Sequence, residues 1–161
     1  MAKRITHDLT YDAPLASVAA MLRDPAFREE VCDQQGVLGR TVEVEQTPSG
    51  ARVRIDQVQA AQGIPSFATR IVGDEIRIVQ TEDWTSADHG DITVEIPGKP
   101  GDMKGTATLR ESGGTTTETV DLTVKVSIPL VGGKLEALIA DLLLKALKSE
   151  NRTGRAWLAR G

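Results

Sequence analysis

The feature that most constrains this chain is a change of hydrophobic period in its last third. From Val37 to Ile128, apolar and polar residues alternate in short runs, and from Lys134 to about Ala159 the spacing becomes helical. The alternating runs are Val37–Gln46, Ala51–Gln59, Glu75–Trp84, Asp91–Ile96, Met103–Glu111 and Thr115–Ile128. Thr47-Pro48-Ser49-Gly50 and Ser112-Gly113-Gly114 separate two pairs of them with hairpin chemistry. Successive β runs with tight connections favour an antiparallel meander. Ala61–Gly73 is too long for a hairpin loop and leaves room for a short helix.

Ahead of the meander, Lys3–Tyr11 has Ile5, His7 and Leu9 on one face and reads as another strand. Pro14 opens a short helix carrying Leu15, Val18, Ala19 and Leu22 at helical spacing. Asp24-Pro25 supplies an N-cap followed by proline at the first helical position, so a second helix spans Pro25–Gln34 and stops at Gly36. After Pro129-Leu130-Val131-Gly132-Gly133 breaks the last strand, Leu135, Leu138, Ile139, Leu142, Leu143, Ala146 and Trp157 share one face of the long helix. Glu136, Asp141, Lys145, Lys148 and Arg152 fall away from that face. The order β-α-α-β-β-β-β-β-β-α predicts an α+β fold. In it, about seven strands form a curved antiparallel sheet wrapped around the C-terminal helix.

Length and composition set outer limits. A chain of 161 residues suits one domain, expected to span 1–161 without repeat or linker. Domains of this size bury roughly 70% of their unfolded surface and need no disulfide or metal. The single Cys32 has no internal partner and fits a reducing cytoplasm, the expected location. Lys3 and Arg4 have no apolar segment behind them, so no signal peptide is expected. The apolar runs Leu15–Leu22 and Leu138–Leu144 are too short to cross a membrane. A net charge of −4 argues against nucleic acid as a partner.

The element order resembles the START-related, helix-grip superfamily, which includes pollen-allergen-like carriers, lipid-transfer domains and polyketide cyclases. Three runs carry a nearer resemblance, to an uncharacterised actinobacterial family within it. They are Gln80-Thr81-Glu82-Asp83-Trp84, Ile96-Pro97-Gly98-Lys99-Pro100 and Ile128 through Glu136. The resemblance covers essentially the whole chain. It implies a helix-grip fold and an apolar or amphipathic ligand held between sheet and helix; fold alone does not establish function.

Strand parity says which side chains face the helix. Val53, Ile55, Ile76, Ile78, Ile92, Val94, Ile96, Met103, Leu109, Val120, Leu122, Val124 and Val126 form one apolar face, and the same parity adds Gln57, Gln80, Glu82 and Trp84. Gly105 and Ala107 lie on it too, where small side chains would leave room. The candidate ligand-binding set is Gln57, Phe67, Ile78, Gln80, Glu82, Trp84, Val94, Met103, Leu122, Val124, Leu135, Ile139, Leu142, Ala146 and Glu150. An aliphatic pocket with a few polar anchors is one reading, and a filled core with polar strand ends reaching water is the other. Aromatic residues are only 3% of the chain, so acyl or isoprenoid surfaces suit the walls better than stacked rings.

Ser149, Glu150 and Thr153 lie on or beside the apolar stripe of the long helix and either meet a ligand head group or mark where the helix leaves the core. Glu82 and Glu150 are the carboxylates to watch as acid or base, although unpaired burial is costly and rim exposure is the expectation. Phe67, with Ile64, acts as a lid or as a core plug. His7, His89 and the aspartates near Gly90 match no metal spacing, and no cofactor or metal is expected.

The leading expectation is binding, storage or transfer of a small hydrophobic molecule, lipid-like or polyketide-like, without catalysis. A cyclase-, dehydratase- or hydrolase-like enzyme is the first alternative, and a protein-interaction module the second. Neither stable membrane insertion nor a particular protein partner is indicated.

Overall fold

The computed structural model describes residues 2–160. Strand β1 (Ala2–Tyr11) is followed by helices α1 (Leu15–Leu22) and α2 (Pro25–Gln34). Strands β2 (Gly39–Gln46) and β3 (Ala51–Ala60) come next, then the short helix α3 (Ser66–Val72). The remaining strands are β4 (Glu75–Trp84), β5 (His89–Glu95), β6 (Asp102–Ser112) and β7 (Thr115–Lys125), and α4 (Gly132–Ala159) ends the order. The second helix starts as its sequence dictates: Asp24 accepts a hydrogen bond from the Ala26 amide at 2.9 Å, and Pro25 occupies the first turn.

All seven strands form one antiparallel sheet in the order β1-β7-β6-β5-β4-β3-β2. The meander from β2 to β7 is the expected one, and β1 adds to its far edge by pairing with β7. Ala61–Gly73 does hold a helix, α3, ended by Gly73 at φ 84°, a conformation that favours glycine. The curved sheet and the long C-terminal helix make the α+β architecture that the element order predicts.

Helix α4 lies across β1 and β7 and also meets α1 and α2. Its close approach to β1 depends on Gly154, where a Cβ would stand 2.6 Å from the Tyr11 ring. Near that crossing, Asn151 and Arg155 both donate to the Thr10 carbonyl, and Phe27 packs edge-on to Trp157 at 5.5 Å. At the other end, Glu136 departs from its expected place off the apolar face. It is 3% exposed and accepts the Val126 amide at 2.9 Å, tying the start of α4 to the end of β7. Gly105 also differs from expectation. A Cβ there would collide with the Asp121 carbonyl of β7, so this glycine serves strand approach rather than pocket room.

Candidate functional site

Between sheet and helix lies a cavity of about 480 Å³. Its walls follow from strand parity: Ile55, Ile76, Ile78, Val94, Met103 and Leu122 face inward, and Leu135, Leu138, Ile139 and Leu142 of α4 close the other side. Ile76 and Glu82 both line it, and six residues of strand at about 3.3 Å each make it roughly 20 Å long. Ile64, Ala68 and Val72 border it from the α3 segment.

Of the candidate set, Gln57, Ile78, Gln80, Glu82, Val94, Met103, Leu122, Leu135, Ile139, Leu142, Ala146 and Glu150 line this cavity. The other three do not line it. Trp84 is buried on the expected face, but its ring covers Gly90 and is itself covered by the Arg23 guanidinium at 5.6 Å. Val124 is fully buried in the core, in register with Met103 of β6 and Lys3 of β1. Phe67 packs against the core while its neighbour Ala68 takes the position on the cavity.

The inner end of the cavity is a cluster of buried charge. Arg28 is 1% exposed, and its Nε donates to the Leu22 carbonyl at 2.7 Å. One terminal nitrogen donates to Glu82 Oε1 at 2.7 Å and the other to Glu150 Oε1 at 3.1 Å. Glu82 also accepts from Trp84 Nε1 at 3.0 Å and from Gln80 Nε2 at 2.6 Å. The expectation of rim exposure for Glu82 and Glu150 is thus overturned: they are 4% and 9% exposed. Arg28 provides what the sequence reading lacked, a buried cation that makes burial of these carboxylates tolerable.

A third carboxylate joins them. Glu118 is 3% exposed, lines the cavity, and sits in register between Leu9 of β1 and Leu109 of β6. Its Oε1 has no hydrogen-bond partner among the described residues, and neither does the buried Tyr11 hydroxyl. Three carboxylates thus converge on one guanidinium, and the surplus appears in their titration. Burial pushes Glu118 well above the usual carboxylate range; the charges of Glu150 and Glu82 add to this, and Arg28 opposes it. Burial likewise raises Glu150 to about 7, with Arg28 opposing and Glu82 adding. Burial works against the Arg28 charge too, but the three carboxylates outweigh it and hold the guanidinium above its usual value. Tyr11 is raised by burial and by Glu118 and Glu150.

Sequence reading missed Arg28, Glu118 and Tyr11. Glu118 and Tyr11 were within its reach, because they continue the inward parity of Val120-Leu122-Val124 and Ile5-His7-Leu9. Arg28 carried a weaker signal, its place three and four residues before the buried Val31 and Cys32. Among the described residues no group of ligands suited to a metal ion occurs, and no helix is long and apolar enough to cross a membrane.

Solved structures of similar fold come from several sources. A protein from Thermus thermophilus matches with a TM-score of 0.65 and 21% identity, covering 96% of this chain and 98% of that one. The Zhui aromatase/cyclase of a Streptomyces species matches with a TM-score of 0.66 and 11% identity over 99% of this chain and 95% of its own. A START superfamily protein from Mycobacterium smegmatis gives 0.58 and 15% over 93% and 96%. These likenesses establish the helix-grip, START-like fold. An uncharacterised protein of Mycobacterium tuberculosis is 31% identical over 109 residues, which are 63% of this chain and 62% of that protein. The match therefore spans less than two thirds of that relative's length. Residues 6–158 match the family described as protein of unknown function, DUF2505, and the chain belongs to that family.

Proposed function

We propose that this protein binds, stores or transfers a small, largely apolar molecule in the cavity between sheet and α4. The observation that carries the reading is the cavity itself, about 480 Å³ with mainly aliphatic walls that end on a built polar cluster. Such a combination of apolar walls and few convergent polar groups is the usual form of a small-molecule site. Burial of ligand surface at ~25 cal/mol per Å² supplies the affinity, and the polar end supplies orientation. In this reading Gln57, Gln80, Ile139 and Ala146 contact the ligand, and α3 covers it. The mainly aliphatic walls support a lipid-like ligand, and the aromatase/cyclase name of one fold relative supports a polyketide-like one.

One observation favours a second reading, acid–base catalysis on such a ligand. Glu118 and Glu150 hold their protons toward neutral pH inside the cavity, as a general acid must. A filled interior with an exposed apolar patch would favour the protein-interaction reading; the cavity supports the binding reading instead.

Mass spectrometry of the purified protein, native and then denatured, tests the binding reading together with titration of an apolar fluorescent probe. A stoichiometric adduct or saturable probe binding is expected, and Ile139→Trp should weaken the probe about tenfold by filling the cavity. Absence of both adduct and probe binding would overturn the proposal.

A further inference from the structure

The charge balance at the inner end of the cavity specifies a ligand head group. This inference rests on the binding reading above and narrows it. Glu82 is saturated by Arg28, Trp84 and Gln80. Glu150 shares the same guanidinium. Glu118, 3% exposed and lining the cavity, is left with Oε1 enclosed and unpartnered. Buried acceptors without a donor are rare, because each forfeits its hydration. The guanidinium's bonds go to Leu22, Glu82 and Glu150, so Glu118 has no cation of its own; the Tyr11 hydroxyl is also unpartnered, but Tyr11 does not line the cavity.

We propose that the Glu118 end of the cavity receives the hydrogen-bond-donating head, a hydroxyl or an ammonium, of an otherwise aliphatic ligand. A donor placed there satisfies the Glu118 carboxyl and, if cationic, favours its ionised form against the burial that otherwise keeps it protonated. A carboxylate head would bring a negative charge beside Glu82 with no free cation to receive it, because Arg28 is already shared, and is disfavoured at this end. Anionic amphiphiles are left with the exposed Lys145 and Arg152 on the cavity border. The chain runs toward Ile76 and α3, along the roughly 20 Å that strand geometry allows.

The test compares decanol, decylamine and decanoate by calorimetric titration at neutral pH, with the wild-type protein and with Glu118→Leu and Glu118→Gln. Decanol and decylamine should bind more tightly than decanoate. Glu118→Leu should weaken both by about tenfold, the loss of one hydrogen bond to a buried acceptor, and leave decanoate unchanged. Glu118→Gln keeps an acceptor without the charge, so decanol binding should survive and decylamine binding should fall. Unfolding midpoints of both variants check that the fold is retained, and the isosteric Gln variant guards against a change of packing. Binding of the three compounds that ignores Glu118, or decanoate binding most tightly, would overturn this inference and leave the carrier reading standing. If none of the three binds the wild-type protein, both fall.

Discussion

The two faces of the sheet use the same charged residue types in opposite ways. On the outer face, Arg4–Asp121, Arg52–Asp83 and Arg77–Asp56 bridge neighbouring strands in water. Arg4 and Arg52 each have a carboxylate of their own, Asp56 serves both Arg77 and Arg54, and hydrogen bonds from Arg77 and Arg4 hold Asp56 and Asp121 below the usual range. On the inner face, Arg28 alone serves Glu82 and Glu150 and opposes the raised titration of Glu118. Exposed pairs contribute little because water already solvates both partners. Buried groups gain or lose heavily with each partner added or removed, so an unbalanced cluster is expensive to keep. Its persistence beside a cavity is the reason to read it as a site rather than as scaffolding.

The largest effect that tests this contrast is removal of the buried cation. Arg28→Met should cost about 3–5 kcal/mol of unfolding free energy at pH 8, measured by denaturant titration, and clearly less at pH 5 as the carboxyls take up protons. A loss no greater than that of an outer-face arginine would erase the distinction.

Next comes the pH dependence. Glu118 and Glu150 have folded-state values above their ordinary 4.5, so the folded protein holds protons that the unfolded chain releases. Below 4.5 their contribution is fully present, and stability should fall as pH rises from there through about 7, the value of Glu150. Glu118→Gln should flatten this slope and stabilise the protein at pH 8 by about 1–3 kcal/mol, read from thermal and denaturant unfolding at several pH values. A steeper slope in the variant would contradict the assignment. The outer aspartates act with the opposite sign: their contribution is present above their ordinary 3.8 and disappears as pH falls.

The smallest expected effect belongs to Arg77→Ala, which should leave the unfolding midpoint and probe binding within experimental scatter. A substantial loss there would mean that the outer face carries more of the fold's stability than its exposure implies.

Most of the fold was legible because the signals that specify it are local. Asp24-Pro25 starts α2 by itself, and the alternation in Glu75–Trp84 marks β4 from end to end. The cavity walls followed from the same parity. The site's chemistry did not, since the burial of Arg28 is decided by what α4 and β4 bring to it across the fold. Glu136 illustrates the same limit. Helical spacing puts it off the apolar face, yet the close return of β7 onto α4 buries it as a clamp. Glu118 could have been found by carrying the parity of β7 two residues further back.

Trp84 gives the inner cluster a built-in optical reporter. Its indole N–H donates to Glu82, which also bonds Arg28, and its ring lies beneath Arg23. The chain has two tryptophans, and Trp157 sits apart against Phe27. With Trp157 replaced by phenylalanine, intrinsic emission would come from a single indole in contact with the cluster. Changes in protonation or occupancy at the end of the cavity could then be followed in real time, without a label and without knowing the ligand in advance.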